Sequence, residues 1–181
     1  MGKRDYLIGI LNDRMKMDEI FYHIVLVAPE IPQNTGNIGR IACCTRCRLH
    51  LVRPIAFSFE DRYLRRAGMD YWHHVDCRIH DNWEDLLREA EGSQLYFFST
   101  KGKKCYWDCP MEKGSWLVFG NEGHGLPEEF YTKYAPNLYT IPMPGLFYRS
   151  LNLANSVAVA VYEGLRRMGP EIFPGSGKET L

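Results

Sequence analysis

Gly120, Gly123 and Gly125 follow directly on the apolar run Trp116–Phe119, and no other stretch limits the possible folds so sharply. A short apolar run ended by clustered glycines reads as a buried strand. Glycine there lets the backbone turn abruptly and come close to a ligand. In open α/β sheets, ligands bind at the C-terminal ends of strands. The loop is not a phosphate cradle of either common kind. A P-loop closes on Gly-Lys-Ser/Thr, and the dinucleotide fingerprint sets two glycines one residue apart ahead of a third. Phe119-Gly-Asn-Glu-Gly-His-Gly-Leu126 supplies neither.

The chain around this loop alternates. Residues 23–28, His-Ile-Val-Leu-Val-Ala, are β-rich and almost continuously apolar, as a central parallel strand is. Pro29 and Pro32 restrict the next stretch, so the first helix is predicted over residues 38–48. Asn34 or Thr35 then caps it, and Arg40 falls in its first turns, near free backbone N–H groups that favour an anion. Strands are predicted at 49–53, 74–80, 94–99 and 138–141, and helices at 60–67, 83–90 and 127–134. With no repeat and no low-complexity linker, this predicts one α/β domain with a mostly parallel sheet. Residues 1–21 form an extension with only loose helical spacing, and residues 169–181 read as a flexible tail.

Lys and Arg together number 22, as do Asp and Glu, so no global basic field announces a nucleic acid. An RNA partner requires local patches, for which Arg62, Arg65 and Arg66, then Lys101, Lys103 and Lys104, and Arg149 are candidates. Each is equally an ordinary solvated face. No apolar run approaches the ~18 to 20 residues that span a membrane, which points to the cytosol. Cys44-x-x-Cys47 and Cys105-x-x-x-Cys109 suggest a four-thiolate zinc site. The first pair, however, falls in the predicted helix beside Cys43, where free thiols pack as small hydrophobes. The expectation is no metal and, in a reducing compartment, no disulfide.

Three stretches in a fixed order carry a likeness. Pro32-Gln-Asn-Thr-Gly-Asn-Ile-Gly-Arg40, the glycine loop, and Ile141-Pro-Met-Pro followed by Ser150-Leu-Asn-Leu-Ala-Asn155 resemble the signature motifs of the SPOUT RNA methyltransferases. The nearest resemblance is to the TrmL (YibK) branch, which methylates the ribose 2′-hydroxyl of the tRNA wobble nucleotide. It spans residues 22–168.

The resemblance implies an α/β knot: helices on both faces of the sheet and a C-terminal trefoil knot, with the chain after Trp116 threaded through an earlier loop. It implies S-adenosylmethionine as methyl donor, S-adenosylhomocysteine as product and no metal. The cofactor is then held by Phe98, Ser99, Thr100, Gly120, Asn121, Glu122, Ile141, Met143, Ser150, Leu151 and Asn155. Backbone groups reading adenine's edge between apolar Phe98, Ile141 and Met143 agree with that assignment. Arg40 is the implied catalytic residue, with Asn34, Ser150 and Asn152 around it. An arginine, with a pKa above about 12, is an improbable base, so two roles stay open: activated base, or clamp on a substrate phosphate. Asn34 orients Arg40 or the ribose, or simply caps a helix. Glu122 holds the loop, contacts substrate, or pairs with Arg149 or a lysine. Ser150 and Asn152 also suit the cap of the final helix.

That helix carries Leu153, Ala154, Val157, Ala158, Val161 and Leu165, with Val159 and Ala160 between them, and is apolar over more than one face. Such a helix needs cover from a second subunit or from its own chain. The resemblance implies a homodimer packed through it, acting on tRNA. Three other readings remain: a 2′-O-methyltransferase of ribosomal RNA, a non-catalytic RNA-binding module that keeps the cofactor pocket, and a zinc-stabilised structural protein.

Overall fold

Aliphatic side chains on both faces of His23–Val27 require cover above and below, and that stretch forms β1 at the middle of a sheet. The computed structural model describes residues 19–58, 71–146 and 149–172. The helix expected at 60–67, the cluster Arg62, Arg65 and Arg66, most of the N-terminal extension and most of the tail lie outside the described residues. Six more strands follow: β2 Arg48–Val52, β3 Cys77–His80, β4 Leu95–Phe98, β5 Lys104–Cys105, β6 Trp116–Phe119 and β7 Leu138–Thr140. They stand in the order β3-β2-β1-β6-β4-β7-β5, and every pairing is parallel.

Alternate residues of the strands feed two cores. Ile24, Leu26, Leu49, Leu51, Leu117 and Phe119 pack on one side with α1 (Pro32–Thr45) and α4 (Leu153–Met168). Val25, Val27, Val52, Phe97 and Val118 pack on the other with Trp83 and Leu86 of α2 (Trp83–Glu89) and Phe130 of α3 (Glu128–Lys133). The expected helices on both faces of a parallel sheet are therefore present. No helix of the described residues is long and apolar enough to cross a membrane.

Three expectations are corrected. α1 begins six residues before the predicted start at 38, because Pro32 occupies its first turn, where proline's missing N–H and fixed φ are no handicap. It ends at Thr45, with Arg46 left-handed at φ 52°, so Cys47 lies beyond the helix. The strand expected over 74–80 starts only at Cys77, after a 3-10 turn over Trp72–His74. β5 was not anticipated at all. It is a two-residue edge strand beside β7.

In α4, Val157, Ala160, Val161, Gly164 and Leu165 are buried, whereas Tyr162 is 56% exposed and Val159 36%. Gly164 sits over Tyr22, and a Cβ there would stand 2.5 Å from the Tyr22 hydroxyl oxygen and 2.6 Å from Cζ. That ring is fully buried and its hydroxyl donates to the Met111 carbonyl at 2.9 Å, so it has little room to yield. Gly164→Ala gains about 1 kcal/mol of helix propensity. Overpacking at a rigid site costs ~1–3 kcal/mol, so a net loss of stability is expected. A lowered urea midpoint with unchanged slope checks it.

A polar seam crosses the α2 side of the sheet. Nδ1 of His23 lies 2.8 Å from Nε2 of His50, and Nδ1 of His50 lies 2.9 Å from Nε2 of His80. The Trp116 indole stacks on His23 at 4.2 Å and tilts against His50 at 4.3 Å. Burial holds His23 down to about 4 and His50 to about 2, and also lowers His80, so the rings are uncharged at neutral pH.

Candidate active site

β4, β6 and β7 are neighbours in the sheet, so the loops leaving their C-terminal ends converge on one place. The loop after β6 closes on itself. Asn121 N–H donates to the Gly125 carbonyl at 3.0 Å and Gly125 N–H to the Asn121 carbonyl at 3.1 Å. Asn121 Oδ1 also accepts from the N–H of His124 at 2.6 Å and of Gly125 at 3.1 Å. Gly125 has φ +77°, open to glycine at little strain. At Gly120 the requirement is space, since a Cβ would fall 2.0 Å from the Gly125 carbonyl carbon.

Glu122, at the tip of this loop, reaches the start of α1. Its carboxylate accepts from the N–H of Glu30 at 3.0 Å, the N–H of Ile31 at 3.3 Å and the Asn34 amide at 2.9 Å. α1 has no side-chain cap of its own, and Glu122 places an anion at the positive end of the helix. Among the described residues, Glu122 pairs with neither Arg149 nor a lysine. Asn34 is no cap either. It lies buried inside the first turn, donating to Glu122 and accepting from Asn152 Nδ2 at 2.9 Å. Asn152 in turn caps α4, its Oδ1 accepting from Ala154 N–H at 2.9 Å and Asn155 N–H at 3.4 Å. A carboxylate, which only accepts, orients the Asn34 amide, and Asn34 then orients Asn152. One hydrogen-bonded chain thus ties the starts of α1 and α4 to the glycine loop.

Glu122→Gln would turn one acceptor toward N–H donors as a second donor. A loss of about 1–3 kcal/mol is expected, since the buried Asn34 amide loses its charged acceptor and the helix end its anion. A drop in thermal midpoint, with no comparable drop for Glu128→Gln, checks it.

The loops enclose a cavity of about 480 Å³. Phe98, Ser99, Thr100, Gly120, Asn121, Glu122, Ile141, Met143, Ser150 and Leu151 line it, as do Asn34 and Asn152. Asn155 does not; its backbone is spent on the Asn152 cap. Ser150 faces the cavity but does not cap α4. Arg40 is also absent from the walls. It lies in the third turn of α1, away from the free N–H groups at the helix start, exposed, with its guanidinium 4.6 Å from the Tyr71 ring centroid. The Tyr71 hydroxyl donates to the Gly36 carbonyl at 2.7 Å, which steadies that ring. No carboxylate among the described residues pairs with Arg40.

Lys101, expected only as part of an RNA-facing patch, and Tyr131, not anticipated at all, also line the cavity. The Lys101 ammonium lies 4.2 Å over the Tyr131 ring and 3.0 Å from Glu128, whose carboxylate holds it above the usual lysine range. The Tyr131 hydroxyl meets Ser99 Oγ and the Leu126 N–H, each at 3.3 Å, joining the loops after β4 and β6. Neither residue belongs to a motif, and only the packing of α3 brings Tyr131 here. Among the described residues, Cys44, Cys47, Cys105 and Cys109 do not converge into a thiolate cluster.

Residues 22–162 match the SpoU rRNA Methylase family. A tRNA (cytidine(34)-2'-O)-methyltransferase of Acidovorax sp. (strain JS42) is 46% identical over 150 residues, covering 81% of this chain and 91% of the relative. Another of that description, from Saccharophagus degradans, is 43% identical over 158 residues, covering 86% and 99%. A solved structure described as concerning the 2-OH methylation of C/U34 on tRNA aligns with a TM-score of 0.76 at 42% identity, over 83% of this chain and 97% of that one. An AdoMet-bound rRNA methyltransferase from Sinorhizobium meliloti aligns at 0.71 and 28% identity, over 83% and 57%.

Proposed function

The chain belongs to the SpoU rRNA Methylase family, and on that premise we propose that it transfers the methyl group of S-adenosylmethionine to the ribose 2′-hydroxyl of nucleotide 34 of tRNA. One observation carries the substrate: 46% identity to a tRNA (cytidine(34)-2'-O)-methyltransferase across 91% of that relative's length.

The residues present fit an adenosyl group. A cavity of about 480 Å³ is of the size that binds small cofactors. Met143 and Leu151 leave apolar surface 38% and 41% exposed at its walls, which a purine ring would cover. At Gly120 the two ends of the loop after β6 nearly touch, and this close approach sets backbone of that loop at the cavity wall, where it can meet the adenine edge. When bound, S-adenosylmethionine supplies an electrophilic methyl on its sulfonium.

The chain's own part is positioning. Asn34, Glu122 and Asn152 hold the walls of the cavity relative to one another, so the ribose meets a preorganised site. Ser150 presents its hydroxyl at the wall for the ribose. Arg40 acts as a phosphate clamp rather than a base. Its guanidinium is exposed and lies over the Tyr71 ring, with its planar fork of N–H donors suited to a phosphate. Because Arg40 stands outside the cavity of its own chain, it serves the cavity of a second subunit. A homodimer through α4, whose Val159 and Tyr162 are otherwise solvent-exposed apolar surface, fits that geometry. The knot and the cytosolic location implied by the family complete the reading.

The test is methyl transfer from tritiated S-adenosylmethionine to bulk tRNA and, separately, to ribosomal RNA. Label in tRNA alone is expected. Label in ribosomal RNA alone would keep the chemistry and overturn the substrate, and label in neither would leave an RNA-binding module.

A further inference from the structure

None of the residues in the polar seam across β1, β2 and β3 lines the cavity, and methyl transfer makes no use of them. From this seam we infer a second site, which binds one zinc-class divalent cation through His50, His80 and Glu89. The three come from different elements: the middle of β2, the end of β3 and the last residue of α2.

The geometry suits such an ion. His50 Nδ1 and His80 Nε2 are 2.9 Å apart, His80 Nε2 and Glu89 Oε2 are 3.8 Å apart, and all three atoms lie within 4.8 Å of one another. Bonds of about 2.0–2.2 Å from a central ion subtend the first two separations at roughly 90° and 130°, on either side of the tetrahedral angle. Two imidazoles and a carboxylate favour zinc and its late first-row neighbours over magnesium or calcium, which prefer all-oxygen sites. His50 and His80 are buried, whereas the Glu89 side chain is 26% exposed, so the ion enters on that side and water completes its shell.

The groups behind the ligands already hold them. His50 Nε2 faces His23 Nδ1 at 2.8 Å, so a proton on Nε2 leaves the Nδ1 lone pair for the ion. Trp116 packs against the same ring. Arg78 donates to Glu89 Oε1 at 2.6 Å, leaving Oε2 as the ligand atom. Without the ion, His80 Nε2–H fills the His50 Nδ1 lone pair. With it, His80 carries that proton on Nδ1, so one hydrogen bond is exchanged for two metal–nitrogen bonds with no net proton released by the rings. The bound ion would clip the β3 edge of the sheet to β2 and α2.

The untagged full-length chain, stripped with chelator, is titrated with Co²⁺ and followed by visible absorption. One equivalent is expected to bind, giving the bands of a four- or five-coordinate ion without the intense near-ultraviolet band of thiolate ligation. Zn²⁺ is expected to displace it and to raise the thermal midpoint. Glu89→Gln keeps an acceptor for Arg78 but removes the carboxylate, and is expected to weaken binding at least roughly tenfold while methyl transfer stays unchanged. His80→Gln is expected to do the same to binding, and Cys44→Ser combined with Cys105→Ser to leave it intact. Absence of saturable absorption, a thiolate band, or equal binding by wild type, Glu89→Gln and His80→Gln would overturn the site.

Discussion

Gly120→Ala is expected to weaken S-adenosylhomocysteine binding by roughly 100-fold or more, equivalent to about 2.7 kcal/mol, as read by calorimetric titration. The new Cβ would lie 2.0 Å from the Gly125 carbonyl carbon, 2.2 Å from its oxygen and 2.2 Å from Leu126 N. All three are backbone atoms, and the paired hydrogen bonds between Asn121 and Gly125 hold them. No rotamer change relieves such a contact, so the loop must open, and the wall it forms is lost. The neighbouring glycines set the scale. A Cβ at Gly123 would meet only the flexible end of Glu30, at 3.0 Å, and at Gly145 nothing within 4 Å. Gly123→Ala is therefore expected to cost a fewfold in affinity and Gly145→Ala close to nothing. Equal losses at all three positions would mean that flexibility of the loop, rather than close approach of its backbone, governs binding.

Arg40→Ala is expected to lower methyl transfer by about 10²- to 10³-fold, the range typical of removing one preorganised charged contact from a transition state. S-adenosylhomocysteine affinity is expected to stay within a fewfold of wild type, because Arg40 does not line the cavity of its own chain. Arg40→Lys keeps the charge but loses the planar fork and its stacking on Tyr71, so it should recover only part of the rate. The two lesions also complement. In the proposed homodimer, subunits carrying Arg40→Ala mixed with subunits carrying Gly120→Ala would form hybrids with one site that has both an intact cavity and an intact arginine. Activity above that of either parent is expected. If the mixture stays as inactive as its parents, Arg40 serves its own chain.

The strands were legible because burial on both faces leaves an unmistakable trace, as in His23–Val27 and Trp116–Phe119. The cavity was legible because the glycine loop and the 141–155 motif supply most of its wall, and ten of the residues assigned to the cofactor do line it. The start of α1 was not. Pro29 and Pro32 together read as a barrier to helix, whereas Pro32 is a good first residue once something satisfies the N–H groups before it. That something is Glu122, 91 residues beyond Ile31, and no local pattern announces so distant a cap. Moving the helix start moved everything tied to it. Asn34 went from cap to buried link, and Arg40 from the first turns to the third. β5 escaped because two residues at a sheet edge have no periodicity, and Tyr131 because only tertiary packing delivers it to the cavity. The histidine seam was invisible because its members are 27 and 30 residues apart along the chain and meet only through strand register.

The most direct measurement is nucleoside mapping of the product by nuclease digestion and mass spectrometry, after the wild-type chain has methylated tRNA isolated from cells lacking the activity. A single ribose-methylated nucleotide at position 34, absent when Arg40→Ala is used, is the expected result. Methyl groups on a base, or on ribose at any other position, would contradict the assignment of this chain as a nucleotide-34 ribose methyltransferase.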